Sequence, residues 1–199
     1  MTPDLSKIIE LSNIHPLKIR NVYLYGSRVY GYNKEDSDFD VIMVAPNLIK
    51  NSEIKDVNYN IHIVTPDSFK EELQKCKITY LECVYAPEWA ILQQKEKYDL
   101  KFSKNKIKKE ILAQSFSAWR NAKFKMNQGD TMRGVKSAYH SFKILHFGIQ
   151  MIQHGKIINF SECNELHEEF HSEEFYEWIQ IKEKYLEIKK HPRQLRVFF

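Results

Sequence analysis

The stretch Tyr25-Gly26-Ser27-Arg28-Val29-Tyr30-Gly31, followed by Ser37-Asp38-Phe39-Asp40, constrains this chain more than any other. Ile19 to Tyr25 reads as a strand, with Val22 and Leu24 alternating against Tyr23 and Tyr25. Gly26-Ser27 breaks it, and a second strand runs from Phe39 to Val44, before Pro46. Gly26 and Gly31 let backbone N–H groups approach a ligand closely. Ser27 adds a hydroxyl and Arg28 a positive charge, so the turn suits phosphate oxygens. Asp38 and Asp40 lie two apart at the start of a strand, which places both carboxylates on one face. Such a pair is costly unless a cation sits between the two, and a divalent metal is the usual answer. A lone Asp-x-Asp commonly decorates a turn. Its place twelve residues after Gly26, between two strands, makes this one specific. A phosphate cradle beside a metal-binding carboxylate pair points to phosphoryl or nucleotidyl transfer.

A third strand is expected over Val57 to Val64, with Val57, Tyr59, Ile61 and Ile63 on one face and Asn58, Asn60 and His62 on the other. Helices are expected over residues 5–14, from Pro66 to about Cys76, over Lys106–Met126, over Thr131–His154 and over Phe170–Lys190. Leu81–Leu92, interrupted by Pro87, is ambiguous. The strand signal fades after residue 100. The organisation is therefore a small mixed domain over 1–100 and a helical domain over 101–199, an α+β architecture in a chain of 199 residues. No apolar run approaches the ~18–20 residues that span a bilayer. Met1 to Glu10 carries acids and no apolar core of a secretory signal. Cys76, Cys83 and Cys163 form neither a disulfide framework nor a zinc pattern, so a cytoplasmic setting is expected.

The block Gly26-Ser27, Gly31 and Asp38-x-Asp40 resembles the signature of the DNA polymerase β-like nucleotidyltransferase superfamily. Within it, Tyr25-Gly-Ser-Arg-Val-Tyr-Gly and Ser37-Asp-Phe-Asp are similar to a group of predicted bacterial and phage nucleotidyltransferases. Tyr80-Leu81-Glu82-Cys83-Val84 resembles that group's Glu-containing helix. Lys136-Ser-Ala138-Tyr139-His140-Ser-Phe-Lys143-Ile-Leu145 resembles its helical-domain motif, with Lys143 where Arg is more usual. The resemblance implies a mixed sheet of five strands or fewer with flanking helices. It also implies transfer of a nucleoside monophosphate from an NTP to a hydroxyl, with two metals held by three carboxylates. Asp38 and Asp40 supply two of these, with Mg²⁺ or Mn²⁺ as the ion. The third carboxylate belongs on the polar face of the third strand, and aligning the motifs sets His62 there, in a strand with no Asp or Glu. His62 then ligates a softer metal, or acts as general base, or marks a site that binds without transferring, or is a plain edge-strand histidine. Asp56 and Asp67 flank the strand as substitutes.

Charge is unevenly placed. Residues 101–160 hold 12 Lys/Arg against 2 Asp/Glu, within a chain whose net charge is only +4. Arg133, Lys136, His140 and Lys143 recur at steps of 3, 4 and 3, which lines them up on one helix face. Such a stripe suits an NTP triphosphate, with Lys136, His140 and Lys143 as the nucleotide-binding set. Lys101 to Lys125 interleaves basic residues with Phe102, Phe116, Trp119 and Phe124, which suits single-stranded nucleic acid and makes RNA a candidate acceptor. Phe116 and Trp119, at i and i+3, also suit a core, and the acidic stretch Glu162–Glu177 suits a solvated helix.

Overall fold

A computed structural model describes residues 3–46 and 51–171. It divides into two compact units, Met1–Lys101 and Phe102–Phe199. The first unit contains α1 (Leu5–Ser12), β1 (Asn21–Tyr25), α2 (Ser27–Tyr30), β2 (Phe39–Val44), β3 (Ser52–Lys55), β4 (Tyr59–Val64), α3 (Pro66–Gln74), α4 (Ile78–Val84) and β5 (Ile91–Gln94). Its five strands form one mixed sheet in the order β3-β4-β2-β1-β5. Only β2 and β4 pair in parallel; the other neighbours are antiparallel.

The alternation read from the sequence divides the sheet into two faces. Val22, Leu24, Val41, Met43, Ile61 and Ile63 are all buried. Tyr59 shares their side of β4, and its hydroxyl accepts from the backbone N–H of Asp4 at the start of α1 (3.1 Å). On the opposite face Tyr23 stacks on Phe69 of α3, ring centroids 5.8 Å apart, and Phe69 meets Tyr80 of α4 edge-on. That second face also carries Tyr25, Asp40, Asn60 and His62, because successive side chains of a strand alternate. α3 starts where expected: Thr65 caps it by accepting from the Ser68 N–H, with Pro66 in the first turn.

Several elements differ from expectation. β4 begins at Tyr59 rather than Val57, which is exposed outside the strand. β3 has one apolar residue in Ser-Glu-Ile-Lys, so no alternation marks it. The ambiguous stretch resolves into α4, a 3₁₀ turn over Glu88–Ala90 after Pro87, and β5.

The second unit contains α5 (Lys104–Asn127), α6 (Thr131–His154) and α7 (Asn164–His171). α5 and α6 form an antiparallel hairpin: Lys125 Nζ donates to Ser137 Oγ (3.0 Å), Trp119 meets Phe142 edge-on and Ser115 Oγ donates to the Ser141 carbonyl (3.0 Å). Asp130 caps α6 through the Arg133 N–H, and Gly155, at φ 71°, ends it. Trp119 is buried as a core residue, whereas Phe116 is exposed. The helix expected over Phe170–Lys190 lies outside the described residues beyond the last two of α7, as does the acidic stretch beyond His171. Among the described residues no helix is long and apolar enough to cross a membrane.

Candidate active site

The turn between β1 and β2 is built by its two glycines. Gly26 has φ 81° and ψ −162°, and its carbonyl accepts from the N–H groups of Val29 (2.9 Å) and Tyr30 (3.2 Å), which starts the single turn of α2. Gly31, at φ 88°, closes that turn by donating to the Ser27 carbonyl (2.9 Å). Both positions lie where an L side chain is strained. Gly26 is constrained a second time, because a Cβ there would fall 2.3 Å from Asp40 Oδ2. The Asp40 carboxylate thus packs against the Gly26 backbone, and register agrees, since Tyr25 pairs with Asp40 across β1 and β2. Two pieces of the motif that are separated in sequence therefore share one place.

Arg28 serves the loop that leads to β2. Its Nε donates to the carbonyls of Ser37 (3.1 Å) and Asp38 (3.3 Å), and its Nη2 donates to Ser37 as well. Its guanidinium lies 4.1 Å from the centroid of the Phe39 ring. Ser37 Oγ in turn accepts from the Lys34 N–H (2.9 Å). These bonds fix the backbone that carries Asp38, which is exposed just before β2. Behind α2, the buried Tyr30 hydroxyl bonds Glu82 of α4. Burial first, then the charge of Glu82, pushes the Tyr30 hydroxyl well above its ordinary value, so it stays a donor. Tyr25 is pushed upward too, by burial first and by Asp40 next.

Register brings a second residue of β4 to the carboxylate site beside His62. β2 and β4 pair with Asp40 opposite Asn60 and Ile42 opposite His62. A period of two puts Asn60 and His62 on the same face and cannot say which is level with Asp40. The Phe39 N–H bond to the Asn58 carbonyl (2.7 Å) and the Phe39–Tyr59 stack (5.4 Å) settle it. Asn60 Nδ2 donates to Asp40 Oδ1 (3.3 Å) and lies 3.3 Å from His62 Nε2. His62 Nε2 is also 3.6 Å from Glu53 Oε1 of β3, a residue that sequence reasoning missed because β3 itself gave no signal. Asp56, in the β3–β4 turn, and Asp67, in the first turn of α3, are both exposed.

The stripe on α6 sinks as it runs. Arg133 and Lys136 are exposed, His140 is half-buried, and Lys143 is buried with its Nζ 5.6 Å from the Phe147 ring centroid. Burial first, then Lys143 and Lys136, lowers His140 to about 3. At neutral pH it is uncharged, so the four cations expected from spacing are three.

A family model described as "Polymerase beta, Nucleotidyltransferase" matches residues 6–115. The chain belongs to the polymerase beta nucleotidyltransferase family. Eight chains of known structure match it. One is a nucleotidyltransferase-like protein from Exiguobacterium sibiricum 255-15, at 9% identity and a TM-score of 0.31. That alignment covers 74% of this chain, which spans 56% of the other protein. No curated protein matches.

Polymerase beta nucleotidyltransferases generally use divalent metals. Among the described residues no group of three His, Cys, Asp or Glu is placed to hold one. The donors present still fit a hard cation that shares its shell with phosphates. Asp38 and Asp40 are two carboxylates, and Asn60, whose Nδ2 donates to Asp40, has a buried Oδ1 with no hydrogen-bond partner.

Proposed function

We propose that this chain is a metal-dependent nucleotidyltransferase that moves a nucleoside monophosphate from an NTP to an acceptor hydroxyl, with release of pyrophosphate. The supporting observation is the packing of the Asp40 carboxylate against the Gly26 backbone, which joins the phosphate-cradling turn to the carboxylate pair. In this reading residues 1–100 form the catalytic domain and 101–199 a helical domain, in a cytoplasmic protein. Gly26, Ser27 and Gly31 receive the phosphates. Arg28 acts by holding the Ser37–Asp38 backbone. Asp38 and Asp40 hold Mg²⁺, with Mn²⁺ as the alternative; when bound, the ion neutralises phosphate charge and favours ionisation of the attacking hydroxyl. His62 takes the acceptor proton. Lys136, His140 and Lys143 of α6 are the nucleotide-binding residues of the helical domain. RNA is the first acceptor to test, given the basic and aromatic residues of α5; a small molecule or a protein side chain is the alternative.

One observation favours a second reading. Asn60 stands level with Asp40 in place of an acid, which suits a site that binds nucleotide and transfers little. The experiment is label transfer from each of four α-labelled NTPs into a mixed RNA pool, in Mg²⁺ and in Mn²⁺. An Asp38→Ala/Asp40→Ala double variant runs alongside. Label that the variant loses supports the transferase. NTP binding without label or pyrophosphate, across RNA and small-molecule acceptors, supports the degenerate site instead.

A further inference from the structure

The sheet face that carries Asp40 continues past it into an open pocket of 360 Å³ beneath α4. We propose that this pocket binds a nucleobase bearing an exocyclic amino group. The inference rests on the nucleotidyltransferase reading for its place in the reaction, but not for the binding itself.

The lining states the chemistry. Ile42 and Val64 form an apolar floor, and the rings of Tyr25, His62 and Tyr80 stand around it. Tyr25 and His62 hold their centroids 6.2 Å apart at a tilt of 58°. Rings over an apolar floor suit a flat heteroaromatic ligand, since every base has a π-face to stack. The volume sits at the small end of ligand pockets, which run about 300–1,000 Å³. Among the described residues the lining contains no Lys or Arg, so these side chains suit a base rather than a phosphate group. Among the described lining residues the carboxylate is Glu53, whose Oε1 makes the contacts to Lys55 (3.3 Å) and His62 (3.6 Å). A carboxylate only accepts hydrogen bonds, so it selects a ligand edge that donates. Adenine, cytosine and guanine present an amino group to such an edge, whereas the one base-edge donor of uracil, N3–H, lies between two carbonyl oxygens that a carboxylate repels.

Asn60 ties the pocket to the carboxylate site. Its Nδ2 faces Asp40 Oδ1 on one side and His62 Nε2 on the other, each at 3.3 Å. A base in the pocket therefore leaves its sugar next to Asp40. The base belongs either to the incoming NTP or to the acceptor's terminal nucleotide, and the chemistry of recognition is the same.

The test titrates the full chain with adenosine, cytidine, guanosine and uridine, without NTP or metal, and follows ring resonances by NMR. At least one amino-bearing nucleoside should bind saturably, with uridine roughly tenfold weaker. Tyr80→Ala and Glu53→Gln should each weaken binding about tenfold, and Tyr80→Phe, which keeps the ring, should restore it. Glu53 is on an exposed edge strand, so Glu53→Gln keeps the test decisive if Tyr80→Ala fails to fold. A second arm adds NTP to the nucleoside complex: displacement assigns the pocket to the NTP's base, and joint binding assigns it to the acceptor. No saturable binding, equal binding of uridine, or binding indifferent to Glu53→Gln overturns the proposal. Because no transfer is read, a failure here with label transfer intact removes the pocket alone, and nucleoside binding without transfer removes the enzymatic reading alone.

Discussion

Gly26 carries two constraints that can be measured apart. It sits at φ 81°, and a Cβ would strike Asp40 Oδ2 at 2.3 Å. Gly129 has nearly the same φ, 79°, with nothing within 4 Å of its Cβ position. Gly129→Ala therefore reports backbone strain alone, about 1–2 kcal/mol. Gly26→Ala should cost more in urea denaturation, because ψ −162° adds backbone strain of its own to the clash, and it should also lose label transfer, the part that reports Asp40 having to move. Equal stability losses with transfer intact would separate Gly26 from the carboxylate. His140 gives a pH signature. Its folded value of about 3 lies below the ordinary 6.5. Between those limits the unfolded chain holds the extra proton, so stability falls as pH drops through that window. The slope is at most about 1.4 kcal/mol per pH unit. Denaturation midpoints at pH 7 and pH 5 should show a smaller acid loss in His140→Gln than in the wild type. An unchanged acid loss would mean that His140 is protonated in the fold.

At the scale of elements, α5 and α6 approach closely at two glycines. A Cβ at Gly148 would meet Ile111 Cγ2 at 2.4 Å, and one at Gly134 would meet Met126 Cγ at 2.7 Å. Isoleucine is stiff at χ1, whereas methionine has three free torsions and adapts. Gly148→Ala should therefore destabilise by about 1–3 kcal/mol and Gly134→Ala by clearly less, as read by thermal unfolding. The same physics decided what the sequence could tell. β1 announced itself because Val22 and Leu24 alternate with Tyr23 and Tyr25. β3 did not, since an edge strand buries little and Ile54 alone is apolar. Likewise, alternation placed Asn60 and His62 on the reactive face, but only the pairing of β2 with β4 made Asn60 the neighbour of Asp40. The Gly26–Asp40 contact was legible as a motif and not as a distance. The service of Arg28 to Ser37 and Asp38 was hidden, because spacing shows a charge but not which carbonyls it meets.

Over the whole molecule, acids and bases are segregated. Residues 1–100 hold 15 Asp/Glu against 12 Lys/Arg, while residues 101–160 carry the basic excess. Carboxylates that would hold a cation thus sit in one unit, and the charge suited to polyanions sits in the other. If RNA is the acceptor, transfer into it should weaken steeply with added salt, as counterion release requires, while NTP binding should respond less. The central claim is that Asp40, packed on Gly26, belongs to a working nucleotidyltransferase site. The most direct measurement is pyrophosphate release from NTP by the full chain with acceptor, comparing wild type with Asp40→Ala. Outer-shell partners of a metal site alone are worth about 10–100-fold, so loss of a carboxylate that holds the ion should cut release at least about 100-fold with the fold intact. Release by Asp40→Ala at the wild-type rate would contradict the claim.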